Sequence, residues 1–198
     1  MKRIYALMLA APLLLAACNT KPKNSVTINS EDGKEKVTVD LNQAQAAAAD
    51  MQQKTEELKK LTPVTLDQLK AMIPEVLAGG KRTNYSANSA MGASMAEATY
   101  KVNDSTDVRI SIFDCAGEAG AGLYGMQYLG MFNMQSETET EYTKTIDFNG
   151  GKAIESAKKD GSHSSLTYVT GGRFLVTMEG DHMQAEAIKT IASHLDLK

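Results

Sequence analysis

The sequence predicts an α+β fold, an antiparallel twisted sheet with packed helices, preceded by a small hairpin and a helical neck. Three observations predict it. Residues 95–102 and 108–113 alternate apolar and polar side chains, the period of strands with one face buried. Asn149-Gly150-Gly151 and Gly171-Gly172 punctuate later β-rich runs, where asparagine and glycine tolerate the positive φ of tight hairpin turns. Residues 41–61 and 183–195 carry stripes at three- and four-residue steps, the period of helices.

The first segment is not part of that fold. Lys2-Arg3 precede an apolar stretch, residues 4–17, which Pro12 interrupts and which falls short of the roughly 18–20 apolar residues that cross a bilayer. Residues 1–17 read as a signal peptide. The stretch ends in Leu15-Ala16-Ala17-Cys18, with small residues where a narrow peptidase site needs them, and this resembles the lipobox of bacterial lipoprotein precursors. The resemblance implies lipid attachment at Cys18: a diacylglycerol on its sulfur, cleavage just before it, and palmitate-like chains that contribute about 0.8 kcal/mol per buried CH₂ to membrane anchoring. It also implies an extracytoplasmic location in the cell envelope. Asn19 after the cysteine resembles lipoproteins released to the outer membrane, and Lys21 and Lys23 replace the acidic residues of a surface-export tag, which together imply a position facing the periplasm.

Residues 18–24 form a polar, lipidated tether with Pro22. Residues 25–80 hold the hairpin and neck. Val26-Thr27-Ile28 and Val37-Thr38-Val39 flank Asp32-Gly33, a turn pair, and a lone two-stranded hairpin must lean on something else to persist. The helix over 41–61 has Asp40 or Asn42 as cap, alanines through its first half, and Glu56 four residues before Lys60. Its stripe of Ala44, Ala48, Met51, Thr55 and Leu58 buries little area, which favours packing along the body over a two-helix coiled coil. Pro63 stops this helix. Thr65 caps a second, short one through residue 73, Pro74 closes that, and Gly79-Gly80 mark the entry to a globular domain, residues 81–198.

In that domain, Val108, Ile110 and Ile112 point to one face of the sheet and Arg109 and Ser111 to the other. Residues 117–134 read as a helix, and Glu137, Glu139 and Glu141 as a solvated loop. Hairpins follow over 142–158 and 165–179, then a final helix over 183–195 with Ala187, Ile188, Ile191 and Leu195 on its apolar side. This element order resembles the α/β/α sandwich of the photosystem extrinsic-subunit (PsbP) type, which implies a fold and transfers no functional residue. The segment from Leu61-Thr62-Pro63 to Arg82, Gly171-Gly172-Arg173-Phe174-Leu175-Val176 and Leu195-Asp196-Leu197 are similar to exported bacterial lipoproteins, which implies location and no activity.

Gly120-Ala121-Gly122-Leu123-Tyr124-Gly125 matches the dinucleotide fingerprint G-x-G-x-x-G. A dinucleotide site needs that turn directly after a strand and a parallel strand after the helix. Here residues 114–119 intervene and the next strands read as antiparallel, so the glycines read as small residues that let a helix approach the sheet. Leu123, Met126, Leu129 and Phe132 then pack into the core, leaving Tyr124, Tyr128 and Met131 as a candidate ligand or partner surface. A helix apolar over so much of its circumference is buried on several sides. Either the neck helix and hairpin cover it, the favoured reading, or it lines a groove for a partner or an apolar ligand.

Removing residues 1–17 takes Lys2 and Arg3 from the 21 basic residues and none from the 24 acidic, so the mature chain carries a formal charge of −5. That argues against a nucleic-acid partner. Lipidation consumes the Cys18 thiol and leaves Cys115 alone, either as a reactive or metal-binding group or as a small buried residue at a strand end, the favoured reading. His163, His182 and His194 are scattered, and no metal, cofactor or catalytic motif stands out; Ser162-His163-Ser164 reads as a surface turn. Met91, Met95, Met126, Met131, Met134 and Met183 are adaptable core fillers or soft ligands for copper. The sequence therefore points to a noncatalytic, lipid-anchored interaction or binding module with an envelope-protein partner. The alternative is a carrier of an apolar small molecule or copper built on residues 117–134.

Overall fold

In the computed structural model, residues 25–29, 36–90, 92–131, 134–195 and 197 are described. The segments expected to be a signal peptide and a lipidated tether, with Cys18, and the expected turn at Asp32-Gly33 lie outside them. The chain divides into two compact units, Met1–Ala46 and Ala47–Lys198. In the first, β1 (Ser25–Asn29) pairs antiparallel with β2 (Lys36–Asp40), Val26 opposite Val39 and Ile28 opposite Val37, as β-branched residues favour. Helix α1 (Leu41–Lys59) contains the division between the units.

The second unit is built on a nine-stranded antiparallel sheet. After α2 (Leu66–Met72), the strands β3 (Val76–Leu77), β4 (Gly80–Ala90), β5 (Ala93–Lys101) and β6 (Asp107–Asp114) run as a meander. Helix α3 (Gly117–Gly130) then carries the chain to the far edge. From there β7 (Gln135–Glu137), β8 (Glu141–Phe148), β9 (Gly151–Lys158), β10 (His163–Thr170) and β11 (Phe174–Asp181) return, and α4 (Ala185–Ser193) follows. The order across the sheet is β3-β4-β5-β6-β11-β10-β9-β8-β7. Its centre is the pairing of β6 with β11, Ile112 opposite Val176, so two halves distant in sequence close on each other.

Alternation along the strands gives the sheet two apolar faces. Val108, Ile110, Ile112, Leu166, Tyr168, Val176 and Met178 lie on one, beneath Leu69 of α2, Ile73 at its C-terminal cap, and Ile188 and Ala192 of α4. Phe113, Ile154, Val169 and Leu175 lie on the other, with Leu58 of α1, Ala121 and Tyr124 of α3, and Met131 just past its end. Each fully buried Leu or Ile contributes roughly 1.5–3 kcal/mol relative to exposure, so both layers matter to stability.

Several local expectations meet the structure directly. Thr65 caps α2 in a reciprocal box, its hydroxyl accepting from Gln68 N while Gln68 Oε1 accepts from Thr65 N. Asn149 and Gly150 turn the β8–β9 hairpin with φ of 47° and 79°. Cys115 is fully buried just past the end of β6, and burial pushes its thiol pKa up to about 12. Others differ. Strand β4 falls where the sequence reads only as an entry to the domain, because much of it is polar, exposed and paired on one side. Glu137 belongs to the exposed strand β7 and Glu141 opens β8, so that stretch is not all loop. His163 begins β10, and Ser164 is buried, its hydroxyl donating to Met183 O at 2.7 Å.

Two buried carboxylates pin the layers together. Asp114, fully buried, accepts on Oδ1 from Arg173 Nε at 2.8 Å and Ala116 N at 3.1 Å, and on Oδ2 from Arg173 Nη2 at 2.6 Å and Val64 N at 2.7 Å. Arg173 Nη2 also donates to Thr62 O at 2.9 Å, and Ser94 Oγ donates to Val64 O at 2.9 Å. This clasp fixes the link between α1 and α2 to the end of the sheet.

Glu155 plays the corresponding part beneath α4. Its Oε1 accepts from Tyr142 Oη at 2.9 Å and lies 3.0 Å from Lys144 Nζ; Lys189 Nζ of α4 sits 2.9 Å from Oε2, close in charge but off the line of a good hydrogen bond. Burial pushes the carboxyl pKa up, but the contacts with Lys189, Lys144 and Tyr142 outweigh it and hold it below the ordinary value of 4.5. A depressed folded-state pKa contributes stability that is complete above the unfolded value and fades as pH falls through the folded one. Urea unfolding between pH 7 and 3 should therefore show a loss below about pH 4.5 that is smaller in Glu155→Gln, which lacks this titration. Equal acid sensitivity in the two proteins would contradict the assignment.

Candidate binding cleft beside the glycine-rich helix

Helix α3 is set against the sheet by its small residues. A Cβ on Gly120 would lie 2.5 Å from Cys115 C and 2.8 Å from Asp114 O, both backbone atoms that cannot swing aside. The glycines of the G-x-G-x-x-G string therefore sit inside a helix and do not form a turn between strand and helix, and of the three Gly120 is the one that permits close approach to the end of β6. Gly120→Ala should destabilise the fold by about 1–3 kcal/mol through overpacking, measurable as a fall in the urea midpoint. Gly122→Ala is the control, since nothing lies within 4 Å of its added methyl.

The small residues also hide the rotational phase of α3 in the sequence, and the structure corrects the expected stripe. Ala121, Tyr124 and Met131 face the core, with Tyr128 packed against it, whereas Met126 is 69% exposed and Leu123 only half-buried. Phe132 and the side chain of Leu129 lie outside the described residues. The side chains set aside as a surface are thus the ones that form the wall.

Along one flank, α1 lies against α3. A Cβ on Gly125 would sit 3.7 Å from Thr55 Oγ1 and 3.9 Å from Met51 Sδ, Leu58 is fully buried in the shared cluster, and Tyr128 Oη donates to Asp50 Oδ2 at 2.5 Å. The second half of α1 thus covers part of α3. The other flank opens into a cleft of about 410 Å³, lined by Tyr124 and Tyr128 of α3, Met131 just past its end, Val169 of β10, and Asp147, Gly150, Gly151 and Lys152 of the β8–β9 hairpin. Tyr124, Tyr128 and Met131 are brought together there. The two tyrosine rings stack with centroids 5.4 Å apart and an interplanar angle of 26°.

Electrostatics keep this wall neutral. Burial, with the charge of Asp50 behind it, pushes Tyr124 up to about 12, and burial together with the hydrogen bond to Asp50 pushes Tyr128 higher than its ordinary value. The rim is charged instead: Lys152 Nζ donates to Asp147 Oδ1 at 2.6 Å, both side chains well exposed. Such a cleft offers π faces, a buried thioether and an aliphatic floor to an apolar body, and an ammonium–carboxylate pair to a polar end. The rim residues were missed in the sequence because Asn149-Gly150 announces a hairpin but not which helix it will face. No family model, no curated protein and no solved structure matches the chain.

Proposed function

We propose that this chain is a noncatalytic binding module, lipid-anchored through Cys18 and extracytoplasmic, with its recognition surface at the Tyr124–Tyr128–Met131 cleft. The anchor reading rests on Lys2-Arg3, the apolar stretch behind them and Leu15-Ala16-Ala17-Cys18; Asn19, Lys21 and Lys23 support a position at the outer membrane facing the periplasm. The observation that carries the binding reading is the lining of the cleft: neutral, stacked aromatic side chains and a thioether beside a hairpin whose two-residue turn holds it in place. An envelope protein inserting an apolar side chain, or a small molecule with an apolar body, would meet the same wall. A volume of about 410 Å³ falls within the roughly 300–1,000 Å³ of small-molecule sites, which supports the carrier reading as the second choice. Copper fits less well. Met126 is 69% exposed while Met131 is 2% exposed, so these thioethers do not converge.

The test places a photoreactive residue at position 152 of the full chain in intact cells and identifies the adducts by mass spectrometry. A saturable adduct, protein or small molecule, that is lost when Val169→Arg fills the cleft is expected. Adducts indifferent to Val169→Arg, or none above a position-139 control, would overturn the proposal.

A further inference from the structure

The two edges of the large sheet are guarded differently. At one end β7 spans three residues and carries Glu137, and the β8 edge behind it carries Lys144 and Asp147. At the other, β3 pairs with β4 only at Gly80 and Lys81, and Arg82 N reaches back to Glu75 O at 2.9 Å. From Asn84 to Ala90, β4 is paired with β5 alone among the described residues. That stretch reads Asn84-Tyr85-Ser86-Ala87-Asn88-Ser89-Ala90, without a charge or a proline, and the one irregularity in its pairing lies before it, between Arg82 and Asn84. At about 3.4 Å per residue it presents roughly 24 Å of open backbone donors and acceptors. Natural sheets block such edges with lysine, proline, bulges or brevity, because an open edge is a template for another strand.

We propose that this edge joins two copies of the chain, β4 against β4, antiparallel about a dyad at Ala87, so that the sheet continues from one subunit into the next. The composition of the edge argues for a second copy. A strand that meets itself must tolerate its own charges, and this one has none. The dyad sets Ser86 opposite Asn88 of the partner subunit, two exposed polar side chains on one face that can hydrogen-bond across the seam. Tyr85 and Ala87, both half-buried, fall on the other face, where they pack against the core beneath α2. Pairing β4 with itself is isologous and stops at two, whereas pairing it with the β7–β8 edge would be heterologous and open-ended, and would bring Glu137, Lys144 and Asp147 against a strand with no countercharge.

Sedimentation equilibrium of the full chain in density-matched detergent tests this. The native chain should be dimeric at tens of micromolar. Ser86→Lys with Asn88→Lys sets two pairs of like charges across the seam and should weaken the dimer by at least about tenfold. Ser86→Lys with Asn88→Glu sets lysine against glutamate twice and should restore it. Ala87→Cys adds a readout that needs no destabilised variant, a disulfide-linked dimer on mild oxidation above the background of the native chain. A native chain that is monomeric throughout, a dimer equally strong in the double-lysine variant, or edge occupancy by an unrelated protein would overturn the proposal.

Discussion

Asp114→Ala should cost the fold about 3–5 kcal/mol, the range expected when one partner of a buried ion pair is removed. The substitution leaves the Arg173 guanidinium, 20% exposed, without its two-pronged acceptor, and strips Val64 N and Ala116 N of theirs. An unsatisfied buried donor costs roughly 1–3 kcal/mol by itself, so the losses accumulate at one carboxylate. Chemical denaturation reads the total. Adding Arg173→Ala should cost less than the sum of the two single changes, because the residues act as one unit. Additivity would mean that the clasp holds no shared energy. The consequence reaches the cleft: Thr62 and Val64, which the clasp grips, lead directly from α1, whose Asp50 and Leu58 meet α3.

Tyr124→Ala ranks beside it, at about 3–5 kcal/mol for loss of a buried aromatic side chain. The Tyr124 ring is 6% exposed and packs in the cluster of Leu58, Cys115, Ala121, Met131 and Leu175 while stacking on Tyr128. Tyr124→Phe keeps the ring and should lose less than about 1 kcal/mol, so the pair separates packing from the hydroxyl. Thermal and urea unfolding should agree on that order. Equal losses from both changes would place the energy in the hydroxyl and contradict the packed-wall description.

Strict alternation was legible where one face of a strand is buried against a helix layer: Val108, Ile110 and Ile112 announce β6. Turn chemistry announced the hairpins at Asn149-Gly150 and Gly171-Gly172, where φ is positive. What stayed hidden has physical reasons. Strand β4 is half-solvated and polar, so it shows weak hydrophobic period. The junction of β6 with β11 depends on closing a long loop, which local pattern does not encode. In α3, glycine and alanine spread through an apolar helix leave its rotation undetermined, so the sequence put Leu123 and Met126 in the core, where the structure has one half-buried and the other exposed. Asp114 and Arg173 stand far apart in the chain, and nothing local marks them as partners.

Intact-mass measurement of the protein isolated from the cells that make it tests the proposed lipid anchor most directly. The proposed anchor requires a chain that begins at Cys18 and carries the added mass of a diacylglycerol, with Cys18→Ala left uncut and unmodified. A native chain that retains residues 1–17, or begins at Cys18 without acyl mass, would contradict it.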